Sequence, residues 1–294
     1  RTFYTIMRFR QKFNYTSLTL FSSWLCSLSE TERNRLGIRI ARLGYYLLGL
    51  RKKDSLKNIA TAFPEKSDSE RNMIIKKTYS FFAKSFMQFL SLPKSYRYAN
   101  IDVEGQELLD GALEKGHGII LATGHFGKWE IMSAWLGYSG YPCVAVAQRQ
   151  KNRGADIFFR EFRANTGMGM IYRKSSLKNM YRILKENKIL ILGSDQDAKQ
   201  RGVFVNFFNK PASTPKGVAR FHLQTGSDIF FISCYVEQNG KHKLQIQPVV
   251  PEGESSVKSI TQAFTTLLEE KVREFPEQYF WFHRRWKTMP HTAS

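Results

Sequence analysis

Cysteine is scarce in this chain. Cys26, Cys143 and Cys234 are the three thiols among 294 residues, and no two stand in a C-x-x-C spacing. That argues against a disulfide framework and a cysteine-built zinc site, so a reducing compartment is the default. Acidic residues are also few, 25 Asp+Glu against 45 Lys+Arg, which leaves a net charge of +20. Long apolar runs are missing. The nearest, Phe13 to Ser29, carries no charge, but eight Ser, Thr and Asn residues dilute it. Such a stretch suits a marginal membrane anchor better than a firm transmembrane span. No A-x-A-like site follows it to mark a cleaved signal peptide. A G-x-x-x-x-G-K-[ST] loop is absent, which argues against a nucleotide hydrolase. The chain contains no internal repeat and no low-complexity tract.

What is present is unevenly placed. Residues 1–100 hold 19 Lys+Arg against 6 Asp+Glu, so most of the positive charge lies in the first third. An excess of that kind favours anionic partners: a membrane surface, an acidic protein or nucleic acid. Phe, Tyr and Trp make up 14% of the chain, a content that suits a membrane-interface protein. Leu36, Ile40, Leu43, Leu47 and Leu50 fall at helical spacing among Arg33, Arg35, Arg39, Arg42, Arg51, Lys52 and Lys53. A basic amphipathic helix can lie in a membrane interface, or it can pack its stripe on a core. Residues 67–92 read as a long helix rich in Phe81, Phe82, Phe86 and Phe89.

From about residue 100 the pattern becomes strand–helix alternation. Apolar runs at 117–123, 142–148, 189–194, 229–236 and 243–249 predict strands. Segments 128–138, 153–166, 176–187, 215–225 and 256–274 predict helices. The expected fold class is α/β, a central and mostly parallel sheet with helices on both faces. An N-terminal helical, membrane-associated segment over 1–98 would precede an α/β domain over 99–294.

The most informative stretch is Leu121-Ala-Thr-Gly-His-Phe-Gly-Lys-Trp-Glu130. His125 and Glu130 follow a buried strand, at the end where open α/β sheets place their ligand sites. Imidazole takes a proton near neutral pH, and a carboxylate can fix its tautomer and stabilise the cation. Within one helix the two would lie about 140° apart. The histidine must therefore sit in the turn and the glutamate in the first helical turn for them to meet. The plainer alternative is a solvated histidine and a glutamate favoured by the helix N-terminus.

Further polar groups follow later strands. Arg149 and Asn152 come after the second of them, and an Arg there can hold a phosphate or an oxyanion through its planar fork. Asp195-Gln196-Asp197 ends another buried strand, where the carboxylates read as arginine partners shaping the site floor. No acidic cluster completes a metal cage around them, so no metal is expected. His283-Arg284-Arg285-Trp286-Lys287 is basic and follows Tyr279-Phe280-Trp281-Phe282, a mixture that suits a lipid headgroup or a stacked nucleic acid.

Taken together, these motifs resemble the lauroyl/myristoyl acyltransferases of lipid A biosynthesis, a branch of the glycerolipid acyltransferase superfamily. The superfamily's His-x4-Asp/Glu motif is matched by His125 and Glu130. Arg149 and Asn152, Asp195-Gln196-Asp197, Gly202-Val203-Phe204-Val205, Phe207-Phe208 and His283 to Lys287 match the branch in order and spacing. Lys128 stands where the family usually has Asn, and Asn209 where it usually has Gly. The resemblance implies acyl transfer without a cofactor, from acyl carrier protein or acyl-CoA to a hydroxyl of a glycolipid such as a lipid A precursor. It implies His125 as base, Glu130 as its orienter, and Arg149, Asn152, Asp195, Gln196, Asp197 and Arg284 as substrate-binding residues. It also implies a place at the cytoplasmic face of the cell inner membrane. The alternatives are another glycolipid acceptor, such as a phosphatidylinositol mannoside, and a basic nucleic-acid-binding protein. No recognition-module motif supports the last of these.

Overall fold

The computed structural model describes residues 8–92, 94–97, 101–173 and 177–290. The expected division between residues 98 and 99 falls outside them, as does the first residue of the helix expected over 176–187.

The described residues of the N-terminal third are helical. Helix α1 (Phe9–Ser27) contains most of the uncharged stretch, and α2 (Glu30–Arg42) follows at once. Ser29 starts α2 with a capping box: its hydroxyl accepts from Glu32 N, and the Glu32 carboxylate accepts from Ser29 N at 2.7 Å. A π-helical turn (Leu43–Leu48) continues α2 until Gly49. Then come α3 (Lys52–Ala62), the 23-residue α4 (Asp68–Leu90) and the short α5 (Lys94–Arg97). No helix among the described residues is long and apolar enough to cross a membrane.

These helices pack on the rest of the chain. Ser22 in α1 donates to Leu90 O at 2.6 Å, and Tyr15 donates to Glu161 at 2.8 Å. The face of α2 turned to α4 is Arg33, Gly37 and Ala41, all buried. A Cβ on Gly37 would stand 2.9 Å from Lys84 Cα, so the two helices meet where a side chain is missing. The leucine stripe points elsewhere. Its first member, Leu36, is half-buried against the core, but Ile40, Leu43, Leu47 and Leu50 are exposed, Leu47 by 78%.

The remainder alternates as expected. Strand β1 (Ile101–Glu104) and α6 (Gln106–Glu114) lead into β2 (Ile119–Thr123), α7 (Trp129–Tyr138), β3 (Cys143–Ala147) and α8 (Arg153–Ala164). Then come β4 (Gly169–Tyr172), α9 (Leu177–Lys185) and β5 (Ile189–Gly193). A hairpin of β6 (Val203–Phe207) and β7 (Lys210–Thr214) precedes α10 (Gly217–Thr225), β8 (Asp228–Val236), β9 (His242–Pro248) and α11 (Val257–Glu274). The hairpin turn holds Phe208 and Asn209 at φ 53° and 56°. Asn tolerates that left-handed backbone better than most residues, which accounts for Asn in place of Gly at 209.

Among the described residues, seven strands form one sheet in the order β1-β9-β8-β2-β5-β3-β4. Every neighbouring pair is parallel except β8 with β9. Alternate residues feed two cores. Ile120, Ala122, Leu190 and Leu192 face α9, α10 and α11, while Ile119, Leu121, Ile189 and Ile191 face α6, α7 and α8. Helices therefore cover both faces. The strand–helix boundaries follow the hydropathy runs closely. Strands β1 and β4, short and half-exposed, carry no strong apolar signal and escape it, as do the β6–β7 hairpin and α6.

Candidate active site

The site is built at the C-terminal end of β2. The chain leaves the strand at Thr123 and makes a tight turn through His125 and Gly127 before α7. Phe126 inside this turn is buried and bridges to Tyr279. Gly127 has φ 64°, and a Cβ there would lie 2.0 Å from Cys234 O, so no other residue fits this approach to β8. Lys128 N donates to Cys234 O, Gly127 N to Gln278 O and Phe280 N to His125 O. The turn is thus pinned on two sides, and His125 has little freedom.

The carboxylate at the imidazole is Asp195, from the loop after β5. Parallel pairing sets Thr123 opposite Gly193, so the residues just beyond each strand are neighbours. His125 Nδ1 lies 2.6 Å from Asp195 Oδ1, and His125 N donates to Asp195 Oδ2 at 2.9 Å. Asp195 is 1% exposed, whereas the His125 side chain keeps 34% of its surface open. Burial by itself opposes charge on both partners, but their attraction and hydrogen bonds outweigh it. The imidazole pKa is raised and the carboxyl is held below the ordinary carboxylate range. With Nδ1–H given to Asp195, the Nε2 lone pair faces outward, 3.3 Å from Gln196 Nε2. The arrangement has the geometry of the base and orienter of a catalytic triad.

Glu130 was expected in the position Asp195 occupies. Instead it grips Arg163 of α8 through two bonds, of 2.6 and 3.1 Å. Its influence on His125 is through-space attraction, weaker than that of Asp195. The five-residue spacing brings the glutamate into the first turn of α7, but there it faces α8. The reading of Asp195 as an arginine partner gives way in the same manner. Asp195 and Asp197 do attract the buried Arg285, yet the bonds of that guanidinium run to Ser213 O and Thr214 Oγ1. Asp197 accepts from Thr288 at 3.0 Å.

Other expected site residues lie further out. The Arg149 side chain is 72% exposed, 4.0 Å from Asp156 and stacked 4.6 Å over Tyr172. Asn152 caps α8, its Oδ1 accepting from Gly154 N and Ala155 N. Arg284 pairs with Asp54 at 3.0 Å. Sequence reasoning gave no role to Trp129 or Arg163. The Trp129 ring lies 5.5 Å from that of His125, and Phe280 lies 6.2 Å from it. The buried thiols of Cys143 and Cys234 are pushed up to about 12 by burial, as suits inert core residues. No group of metal-ligating side chains gathers among the described residues.

Two cavities meet at Phe280, which lines both. One, of about 490 Å³, is walled by Phe82, Phe86, Phe89, Trp129 and Phe159, with the Glu130–Arg163 pair in its lining. The other, of about 550 Å³, is basic. Arg51, Arg284 and Lys287 line it with a single acid, Asp197, together with His283 and Gln196, the neighbour of His125 Nε2. His125 lines neither cavity, but its neighbours Trp129 and Gln196 line one each, so an apolar groove and a basic cleft flank it, a pairing that could take the two ends of an amphiphile.

The chain is similar to known glycolipid acyltransferases. The phosphatidylinositol mannoside acyltransferase of Mycolicibacterium smegmatis is 26% identical over 190 residues, 63% of this chain and 62% of that protein. The chain therefore spans a little under two thirds of that relative. The lipid A biosynthesis palmitoleoyltransferase of Escherichia coli is 24% identical over 261 residues, 87% of this chain and 85% of that protein. The lauroyltransferase of the same organism is 25% identical over 265 residues with the same coverage. The sequence pattern of the bacterial lipid A biosynthesis acyltransferases matches residues 7–288, and the chain belongs to that family.

Proposed function

We propose that this protein is a glycolipid O-acyltransferase that works at a membrane surface. The observation that carries the reading is the His125–Asp195 pair, whose Nε2 meets only the Gln196 amide among the described residues, at 3.3 Å. Its ring neighbours, Trp129 and Phe280, line the apolar groove, while Gln196 and Phe280 line the basic cleft. In the proposed step the acceptor hydroxyl oxygen attacks the carbonyl carbon of an acyl thioester. His125 Nε2 takes the hydroxyl proton as the C–O bond forms. The tetrahedral intermediate collapses, the C–S bond breaks, and the imidazolium returns its proton to the leaving thiolate. Ester and thiol are the products. Asp195 steadies the imidazolium, and Glu130 holds the groove wall through Arg163.

The donor we assign is acyl carrier protein, an acidic partner suited to the basic surface, with acyl-CoA as the alternative. The acceptor is a lipid A precursor, in keeping with the family. The Mycolicibacterium smegmatis relative favours a second candidate, a phosphatidylinositol mannoside. The exposed guanidiniums of Arg149 and Arg284 are assigned to acceptor phosphates, beside Asp197 and the Asn152-capped helix. The exposed apolar residues of α1 and of the π-helical turn are assigned to the cytoplasmic face of the inner membrane. The test is mass spectrometry of a glycolipid acceptor after incubation with the protein and acyl carrier protein charged with a fatty acid. An acceptor heavier by one acyl chain, absent with His125→Ala, is expected. No transfer from either thioester to either class of glycolipid would overturn the reading.

A further inference from the structure

A smaller cavity, of about 280 Å³, lies on the far end of the His125–Lys128 turn, bounded by α2, α4 and the β8–β9 connection. Arg33, Lys84, Lys128 and His242 line it, together with Asn34 and Gln88. Lys128 is the residue shared with the apolar groove. Its ammonium donates to Gln88 Oε1 at 2.9 Å and stands 5.1 Å from the centre of the Phe81 ring. No carboxylate comes within ion-pair distance of Lys84 or Lys128 among the described residues. Glu30 is the one acid of the lining, and its pull on Lys128 is weaker than the push from Lys84. Burial and that push lower Lys128 to about 8. Arg33 is 3% exposed and adds a fixed charge, with Nη1 committed to Leu25 O and Leu28 O. Burial lowers His242 to about 4, so its ring is neutral near pH 7 and one ring N–H can donate.

Buried cations are normally paired, because an uncompensated charge away from water is costly. Here the buried Arg33 guanidinium and the half-buried side chains of Lys84 and Lys128 share one polar hollow with a single carboxylate. We propose that this hollow is an anion site, taking a small phosphate-class dianion between Lys84 and Lys128, with Asn34 and His242 as neutral donors. A dianion offsets both ammonium charges, whereas a monocarboxylate offsets one. The hollow is too small and too polar for an acyl tail. Because Lys128 ends the turn that carries His125, an occupied site would keep that residue charged and the turn fixed. The proposal is tested by binding and does not depend on the acyl-transfer reading.

Isothermal titration of the full chain with inorganic phosphate, against acetate at equal ionic strength, reads the site directly. Saturable binding of phosphate and little of acetate is expected. Lys84→Met should weaken phosphate by at least about tenfold, or about 1.4 kcal/mol. Lys84→Arg should retain it, and Lys210→Met, at the exposed hairpin, should leave it unchanged. Glycerol 3-phosphate in a parallel titration separates the sources. Equal binding would mark the site for an esterified phosphate, and binding of inorganic phosphate alone would mark it for the free ion. Both outcomes support the site. Absence of saturable phosphate binding would overturn it, as would equal losses in Lys84→Met and Lys210→Met, which would mean diffuse attraction to a basic surface.

Discussion

Asp195 and Glu130 are both carboxylates near His125, and their partners separate their roles. Asp195→Asn removes the charge that stabilises the imidazolium while keeping the shape. Turnover should fall by roughly 10²–10⁴, the range ascribed to acid–base groups. The sign of the pH effect follows from the charge. The wild-type imidazole is raised above its free value by Asp195, so activity is lost as pH falls through that raised value. In Asp195→Asn the acidic limb of kcat/KM should move to lower pH, and an unmoved limb would deny the coupling. Glu130→Gln should act on stability instead, because it strands the half-buried Arg163 guanidinium. A loss of about 1–3 kcal/mol is expected in denaturant unfolding, partly restored by adding Arg163→Met, with the pH profile little changed. A kinetic defect in a fully stable Glu130→Gln protein would return Glu130 to the chemistry. His125→Ala should abolish transfer, but it also leaves a buried Asp195 with fewer partners. His125→Gln is therefore the better-folded control.

At the scale of elements, the sequence was most legible where burial is two-sided. Ile189-Leu-Ile-Leu192 reads as a buried strand because both faces of β5 are covered. The strand after which His125 falls was equally plain. Which strands are neighbours was not legible, since adjacency in a sheet leaves no trace in local spacing. That is why Asp195, from a strand 70 residues further on, could be flagged as polar at a strand end but not paired with His125. The two faces of α2 teach the same lesson from the other side. Apolar spacing drew attention to the leucine stripe, yet the packed face is Arg33, Gly37 and Ala41, where small size rather than hydrophobicity admits α4. Gly37→Val should destabilise the protein by about 1–3 kcal/mol through overpacking. Leu47→Ser, on the exposed stripe, should leave the thermal midpoint within about a degree or two, as surface changes usually do. Differential scanning calorimetry of the pair distinguishes a packing face from a free one.

For the whole molecule, the question is what the free face meets. Phe9, Phe13, Leu20 and Trp24 are exposed on α1, Tyr46, Leu47, Leu48 and Leu50 after α2, and Phe86 beside the mouth of the apolar groove. Soluble surfaces seldom expose so many large apolar side chains, and a basic flank favours an anionic leaflet at about 1 kcal/mol per cation near it. Removing residues 1–50 is a poor test of this idea, because α1 and α2 pack into the body and their loss would expose its core. Point changes discriminate better. Phe13→Ser, Leu20→Ser, Trp24→Ser and Leu47→Ser together should leave the circular dichroism spectrum intact and sharply reduce flotation with vesicles rich in phosphatidylglycerol. Adding salt should weaken the remaining binding further, since the cations alone would then hold the surface. Transfer to a membrane-embedded glycolipid should fall with flotation, while transfer to a short, soluble hydroxylated acceptor should not. A folded quadruple variant that still floats would move the membrane contact to the Tyr279–Lys287 segment, whose aromatic and cationic side chains border the basic cleft.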